Sequence, residues 1–370
     1  MEKDIKQYKE ISKEKSIWDE RSMFAFVLGI YIVIMLLLVG LRVLGELRII
    51  SGPTFGIMAQ IGVMFLVPFI AIKIFSRQSL KETAISFGFG KTTWKVIRFA
   101  FVLGVLIYVL NLFVASFFYM IIIMFDFKFI GGGGIVTAGT GVTAVLVSLL
   151  MIGVLPGFCE EVTHRGMLLQ SLRSRMGVMR AVLLSSIMFG FMHMNILQVF
   201  FTTVLGFLIA LAVIATRSIW TGVIMHFMNN GLDTYLRFAD QNGWILAGSR
   251  QELFALFSGP AGLFLMIAFF YCVYWLIMRV ITRFARENYH KDAKIKFALS
   301  VQSNPEASKP NLENTDEHVK RLGGFGALKF YLEGDNEVKK PLTVIEKTLL
   351  FGVLFFGLVV TGMTFYWGII

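Results

Sequence analysis

Two adjacent carboxylates, Glu160 and Glu161, close a long apolar run that starts at about residue 142, and Arg165 follows one helical turn later. A charged side chain at bilayer depth costs roughly 2.5–3.5 kcal/mol on insertion scales, so each such group needs a partner or a task. On a helix Glu161 and Arg165 share a face, with the acid on the N-terminal side, the favourable order for a pair. Glu160 points about 100° away and lacks that partner. Glu161–Arg165 is therefore read as the structural pair and Glu160 as the working carboxylate. Two more polar groupings interrupt apolar helices: His193 with Asn195 just after it, and His226 with Asn229 and Asn230, where His226 and Asn230 lie a turn apart on one face. Titratable groups gathered at bilayer depth serve either chemistry or an ion path.

Depth tests whether these groups can meet. At 1.5 Å per residue, Glu160 lies roughly 16 Å from the end of its helix, His193 roughly 21 Å and His226 roughly 12 Å, all measured from the same side. The three fit one cavity between that surface and the midplane. A proton path would instead string ionisable groups across the full thickness.

The elements that must position them are membrane helices. The chain of 370 residues is 56% hydrophobic and 16% charged, with a mean hydropathy of +0.72, more apolar and less charged than soluble domains. The fold class is an all-α polytopic membrane protein with about nine transmembrane helices and a cytoplasmic N-terminus. Apolar runs fall at 23–41, 54–75, 97–125, 142–171, 179–194, 195–216, 218–237, 253–280 and 348–370. Lys and Arg are dense in the N-terminus and in 73–98, 165–180 and 279–347, and sparse in the alternate connections, as the positive-inside rule requires. The net charge of +11 is thus topological and calls for no nucleic-acid partner. Both cysteines, Cys159 and Cys272, sit in apolar segments, so no disulfide framework is indicated.

The chain divides into a cytoplasmic segment 1–22 of helix-like charge spacing, N-terminal membrane helices 23–141, a core 142–237, a further membrane helix within 238–281, a polar cytoplasmic insert 282–346 and a last membrane helix 347–370. The insert is expected to be partly disordered around Ser303 to Glu317, and serves as a linker or a docking site for a partner. Gly131 to Gly134 reads as a flexible connection, since it lacks the Lys-Ser/Thr of a phosphate loop. Cys159 faces away from Glu160 and reads as packing. His164, four residues from Glu160, either tunes it or faces headgroups or a neighbour. Asp233 either orients the site or bonds its neighbours.

The order Glu160-Glu161-x-x-x-Arg165, Phe189-x-x-x-His193, His226-x-x-x-Asn230 resembles the three motifs of the intramembrane proteases that include the CAAX prenyl endopeptidases and the bacteriocin-processing and self-immunity proteins, the CPBP family. The stretch from Gly206 to Leu211, followed by Thr216 to Trp220, resembles it as well; the likeness covers about 142–237. It implies peptide-bond hydrolysis in a membrane-embedded or lipidated substrate, with Glu160 as general base, His193 holding the water, and His226 and Asn230 donating to the oxyanion. Burial raises a carboxylate towards the working range of a base, and fixed donors act strongly in a low-dielectric cavity. No cofactor is required on this reading. The alternative is zinc on Glu160, His193 and His226, a His₂Glu set with an open fourth position, although no His-Glu-x-x-His is present. The non-enzymatic alternative is a transporter or an immunity protein. Low Pro content, a Lys-rich surface and the family branch point to a bacterial cell membrane.

Overall fold

The computed structural model describes residues 17–90, 92–125, 141–255, 259–303, 310–333 and 341–369. Most of segment 1–22 and the Gly131–Gly134 connection lie outside these residues. Among the described residues every regular element is helical: α1 (Arg21–Glu46), α2 (Gly52–Ser76), α3 (Leu80–Ser86), α4 (Trp94–Ile123), α5 (Val142–Arg175), α6 (Val178–Met192), α7 (Ile196–Thr216), α8 (Ile219–Asn242), α9 (Ser249–Ala255), α10 (Gly259–Ser303), α11 (Leu312–Arg321), α12 (Gly323–Glu333) and α13 (Val344–Ile369). The chain is an all-α polytopic membrane protein.

Seven of these, α1, α2, α4, α5, α7, α10 and α13, contain stretches long and apolar enough to cross a membrane. The sequence reading counted about nine, and the two that differ are α6 and α8. α6 has only 15 residues, about 22 Å against a hydrocarbon core of about 30 Å. α8 is long enough, but His226, Asn229, Asn230, Asp233, Arg237 and Asp240 make it polar. Both are inner helices. α7 runs through the middle, with 72% of its apolar window buried, whereas α10 and α13 bury 22% and 17% and stand at the periphery. α7 packs on α4, α6, α8 and α10, and α8 packs on α4 and α5.

α5 is not a uniform α-helix. The stretches Leu149–Val154 and Val162–Leu168 are wound as π-helix on either side of Leu155–Glu161, and α2 carries a third such stretch at Met58–Leu66. Pro156 explains part of this, because it cannot donate to the carbonyl a turn earlier. π-turns of this kind gather at functional sites. The two widened regions also bond to each other: the Thr163 hydroxyl donates to the Met64 carbonyl at 2.5 Å.

Close approach of α5 and α8 depends on glycine. Gly153 and Gly157, spaced as in small-xxx-small membrane contacts, face Phe227; a Cβ at Gly157 would lie 3.1 Å from the Phe227 backbone nitrogen.

The polar segment 282–346 differs from expectation. Its first part continues α10 as one helix to Ser303. Residues 312–333, expected to be disordered at their start, form α11 and α12, which pack together and against α10 through buried Val319, Leu328 and Tyr331. Asp316 is buried there, hydrogen-bonded by Arg286, by His290 at 3.0 Å and by the Tyr331 hydroxyl at 2.7 Å. Burial opposes its charge, but these bonds outweigh that and hold its carboxyl below the usual aspartate range.

Candidate active site

Glu160 and Glu161 are both buried, at 7% and 0% exposure, although a regular helix would turn them about 100° apart. Both meet one residue of α8. His226 places Nδ1 3.0 Å from Glu161 Oε1, while its Nε2 faces Glu160 Oε2 at 3.9 Å. A carboxylate accepts only, so Nδ1 carries a proton and donates it. Glu161 Oε1 also receives the Arg165 guanidinium at 2.9 Å. The second Arg165 nitrogen donates to the Gly206 carbonyl of α7 at 3.1 Å, and its plane lies over the Phe189 ring, 4.6 Å from the centroid. Arg165 is 1% exposed, and its charge is met by a carboxylate, a carbonyl and an aromatic face. The Glu161–Arg165 pair expected from the sequence is present, and Glu161 in addition fixes the ring of His226.

Gly222 makes this possible. A Cβ there would stand 2.5 Å from Glu161 Oε2. Only a glycine lets the α8 backbone come so near the carboxylate.

Glu160 uses Oε1 to accept from the Gln60 amide at 2.8 Å. Its Oε2 is buried and has no hydrogen-bond partner among the described residues. Such orphans are rare in native interiors and ask for a water, ion or substrate group.

The three membrane histidines converge on one ring. His164, His193 and His226 stand edge-on to Phe189, with centroids 4.8, 5.0 and 5.7 Å away. His193 is placed by its Nδ1, which donates to the Phe189 carbonyl at 2.9 Å, leaving Nε2 free of that bond. Among the described residues no hydrogen bond joins His193 to Glu160 or His226. His164 faces neither headgroups nor lipid: it is fully buried, donates from Nδ1 to the Glu160 carbonyl at 2.8 Å, and meets the Tyr31 hydroxyl with Nε2 at 3.1 Å.

Asn230 belongs to an amide ladder. Asn111 of α4 donates to Asn229 at 3.1 Å, Asn229 donates to Asn230 at 3.0 Å, and Asn230 donates to the Ile152 carbonyl at 3.0 Å. That carbonyl lies in a π-wound stretch of α5. Two other candidates resolve into structural roles: Asn195 caps α7 by accepting from the Leu197 N–H at 2.9 Å, and Asp233 bonds Arg237 and Arg250.

The side chains present do not fit the zinc alternative. Glu160, His193 and His226 do not come together as a ligand set, and among the described residues no group of three His, Cys, Asp or Glu does.

Sequence reasoning missed Gln60, Tyr31 and Asn111. The signal for all three was available: each is a polar side chain within an apolar membrane run, the situation that singled out Glu160.

Residues 142–232 match the family model described as type II CAAX prenyl endopeptidase Rce1-like. Neither the curated proteins nor the solved structures hold a match to the chain. The matched segment contains Glu160, Glu161, Arg165, His193, His226 and Asn230, and over it the chain is similar to the CPBP/CAAX proteases.

Proposed function

We propose that the protein is an intramembrane endopeptidase that cleaves a membrane-embedded or lipidated peptide or protein with a water held between Glu160 and His226. One observation carries this: the unpartnered Oε2 of Glu160 faces the Nε2 of an imidazole whose other nitrogen is already fixed by Glu161. A water about 2.8 Å from both atoms would see them at roughly 90°, a workable angle for its two protons. That leaves an oxygen lone pair for attack.

Glu160 takes a proton as the water oxygen bonds to the scissile carbonyl carbon, and the carbonyl electron pair moves onto its oxygen. Collapse of the tetrahedral intermediate breaks the C–N bond, and Glu160 returns the proton to the leaving amine. With Nδ1 donating to Glu161, neutral His226 has an acceptor at Nε2, so it holds the water. The resemblance gave that task to His193, which here supplies a second free Nε2 beside the same aromatic ring. Oxyanion donation falls to Asn230, whose Nδ2 has one N–H on Ile152 and a second to offer.

The reading needs no metal. It places the protein in a bacterial cell membrane with the N-terminus in the cytoplasm. Comparative peptide profiling of membranes holding wild type or Glu160→Gln tests it: a membrane-associated peptide should accumulate uncut in the variant. Identical profiles, with both proteins folded and inserted, would overturn the reading.

A further inference from the structure

Away from the glutamates, where α5, α7, α10 and α12 come together, lies a cavity of about 240 Å³ lined by Arg173, Arg217, Asn288, Ala215, Tyr331 and Leu332 among others. Arg173 is thirteen residues beyond Glu160 on α5, about 20 Å along the helix. The proposed protease chemistry does not use it.

Its polar groups are unequally satisfied. Asn288 donates to the Ala215 carbonyl at 2.6 Å, covering one acceptor at the C-terminal end of α7 that would otherwise repel an anion. The Tyr331 hydroxyl is committed to Asp316. Arg217 is paired with Asp292 through both of its terminal nitrogens. Among the described residues Arg173 meets no carboxylate: Nη1 donates to the Gln170 amide oxygen at 3.2 Å, and its Nε is buried without a hydrogen-bond partner. A half-buried guanidinium facing a second one, with one neutral contact, is short of a counter-charge.

The position says what supplies it. Arg173 is in the last turn of α5 and Arg217 directly follows the apolar α7, so both stand where membrane spans end and headgroup phosphates begin. Tetrahedral phosphate oxygens suit the guanidinium fork of Arg173, with the Arg217 charge, held by Asp292, beside it. The volume equals that of about eight waters at ~30 Å³ each, room for a phosphate and its first substituents.

We propose that this cavity binds a phosphate group, held by Arg173 with Arg217. Such a group reaches it on an anionic phospholipid or as a free ion, and the test separates the two. The full-length protein would be placed in nanodiscs of phosphatidylcholine with or without phosphatidylglycerol, and in detergent with or without inorganic phosphate, and its thermal midpoint followed. Stabilisation by phosphatidylglycerol identifies a lipid site, and stabilisation by inorganic phosphate a free-ion site. In either case Arg173→Gln should weaken the apparent affinity about tenfold or more, as loss of a charge-assisted hydrogen bond does. Arg173→Lys should retain most of it, and Leu332→Glu, which adds a carboxylate to the wall, should abolish it. Should Arg173→Gln not fold, the Lys and Glu variants decide. No stabilisation by either ligand, or stabilisation unchanged in Arg173→Gln or Leu332→Glu, overturns the proposal.

Discussion

His226 Nδ1 and Arg165 Nη1 converge on one oxygen of Glu161, at 3.0 and 2.9 Å. The carboxylate that neutralises the buried arginine is therefore also the one that sets the imidazole facing Glu160. Removing it does two kinds of damage. Glu161→Ala strands Arg165 at 1% exposure, and breaking one side of a buried ion pair costs about 3–5 kcal/mol. A clear fall in thermal midpoint and yield is expected, together with loss of activity.

Glu160→Gln should separate the two effects. The amide keeps shape and removes the proton acceptor, so stability should stay near wild type while cleavage falls by about 10²–10⁴-fold or more. Comparable stability losses in Glu160→Gln and Glu161→Ala would contradict the division between the neighbouring acids.

Gly222→Ala is the sharpest steric probe. The new methyl would sit 2.5 Å from Glu161 Oε2 and 2.9 Å from a Val213 methyl, so the helices or the carboxylate must shift. Overpacking of this kind costs about 1–3 kcal/mol, and His226 loses its fixed partner. Activity should drop further than the thermal midpoint alone explains; full activity would show that the α5–α8 approach tolerates slack.

Metal dependence has a direct readout. Protein purified through chelator and shown by elemental analysis to hold less than a stoichiometric amount of transition metal should cleave at the wild-type rate. Activity that vanishes and returns with zinc would mean that Glu160, His193 and His226 draw together on binding it.

Acid should loosen the α11–α12 pair from α10. Asp316 is held below the ordinary aspartate range, so its contribution is complete above about pH 4 and is lost as pH falls through the lower, folded-state value. Proteolysis between residues 310 and 333 should accelerate at low pH, and Asp316→Asn should show the same sensitivity at neutral pH. An unchanged cleavage rate in Asp316→Asn would show that apolar packing of Val319 and Leu328 suffices.

The membrane architecture was legible because apolar runs of spanning length need no tertiary context to be read, and Glu160, Glu161, Arg165, His193 and His226 stood out because charge and imidazole are costly there. What stayed hidden is what depends on helix phase. A 100° step turns Glu160 away from Glu161, and it is the His226 ring, reaching one acid with each nitrogen, that brings the two together across helices. The sequence likewise leaves open whether His164 turns to the interior or to headgroups, and the ladder that joins Asn230 to Asn111 spans residues far apart in sequence. The order in residues 312–333 escaped because composition there is polar, and the burial of Asp316 against Arg286, His290 and Tyr331 is a tertiary event.

α10 is a single helix of 45 residues, about 68 Å from end to end, more than twice what the hydrocarbon core can hold. Its outer half is consequently a stiff mast rooted in lipid, and it leans on α7, the innermost helix. A partner that binds α10 beyond the bilayer would therefore hold a helix that also packs on α7, without entering the bundle.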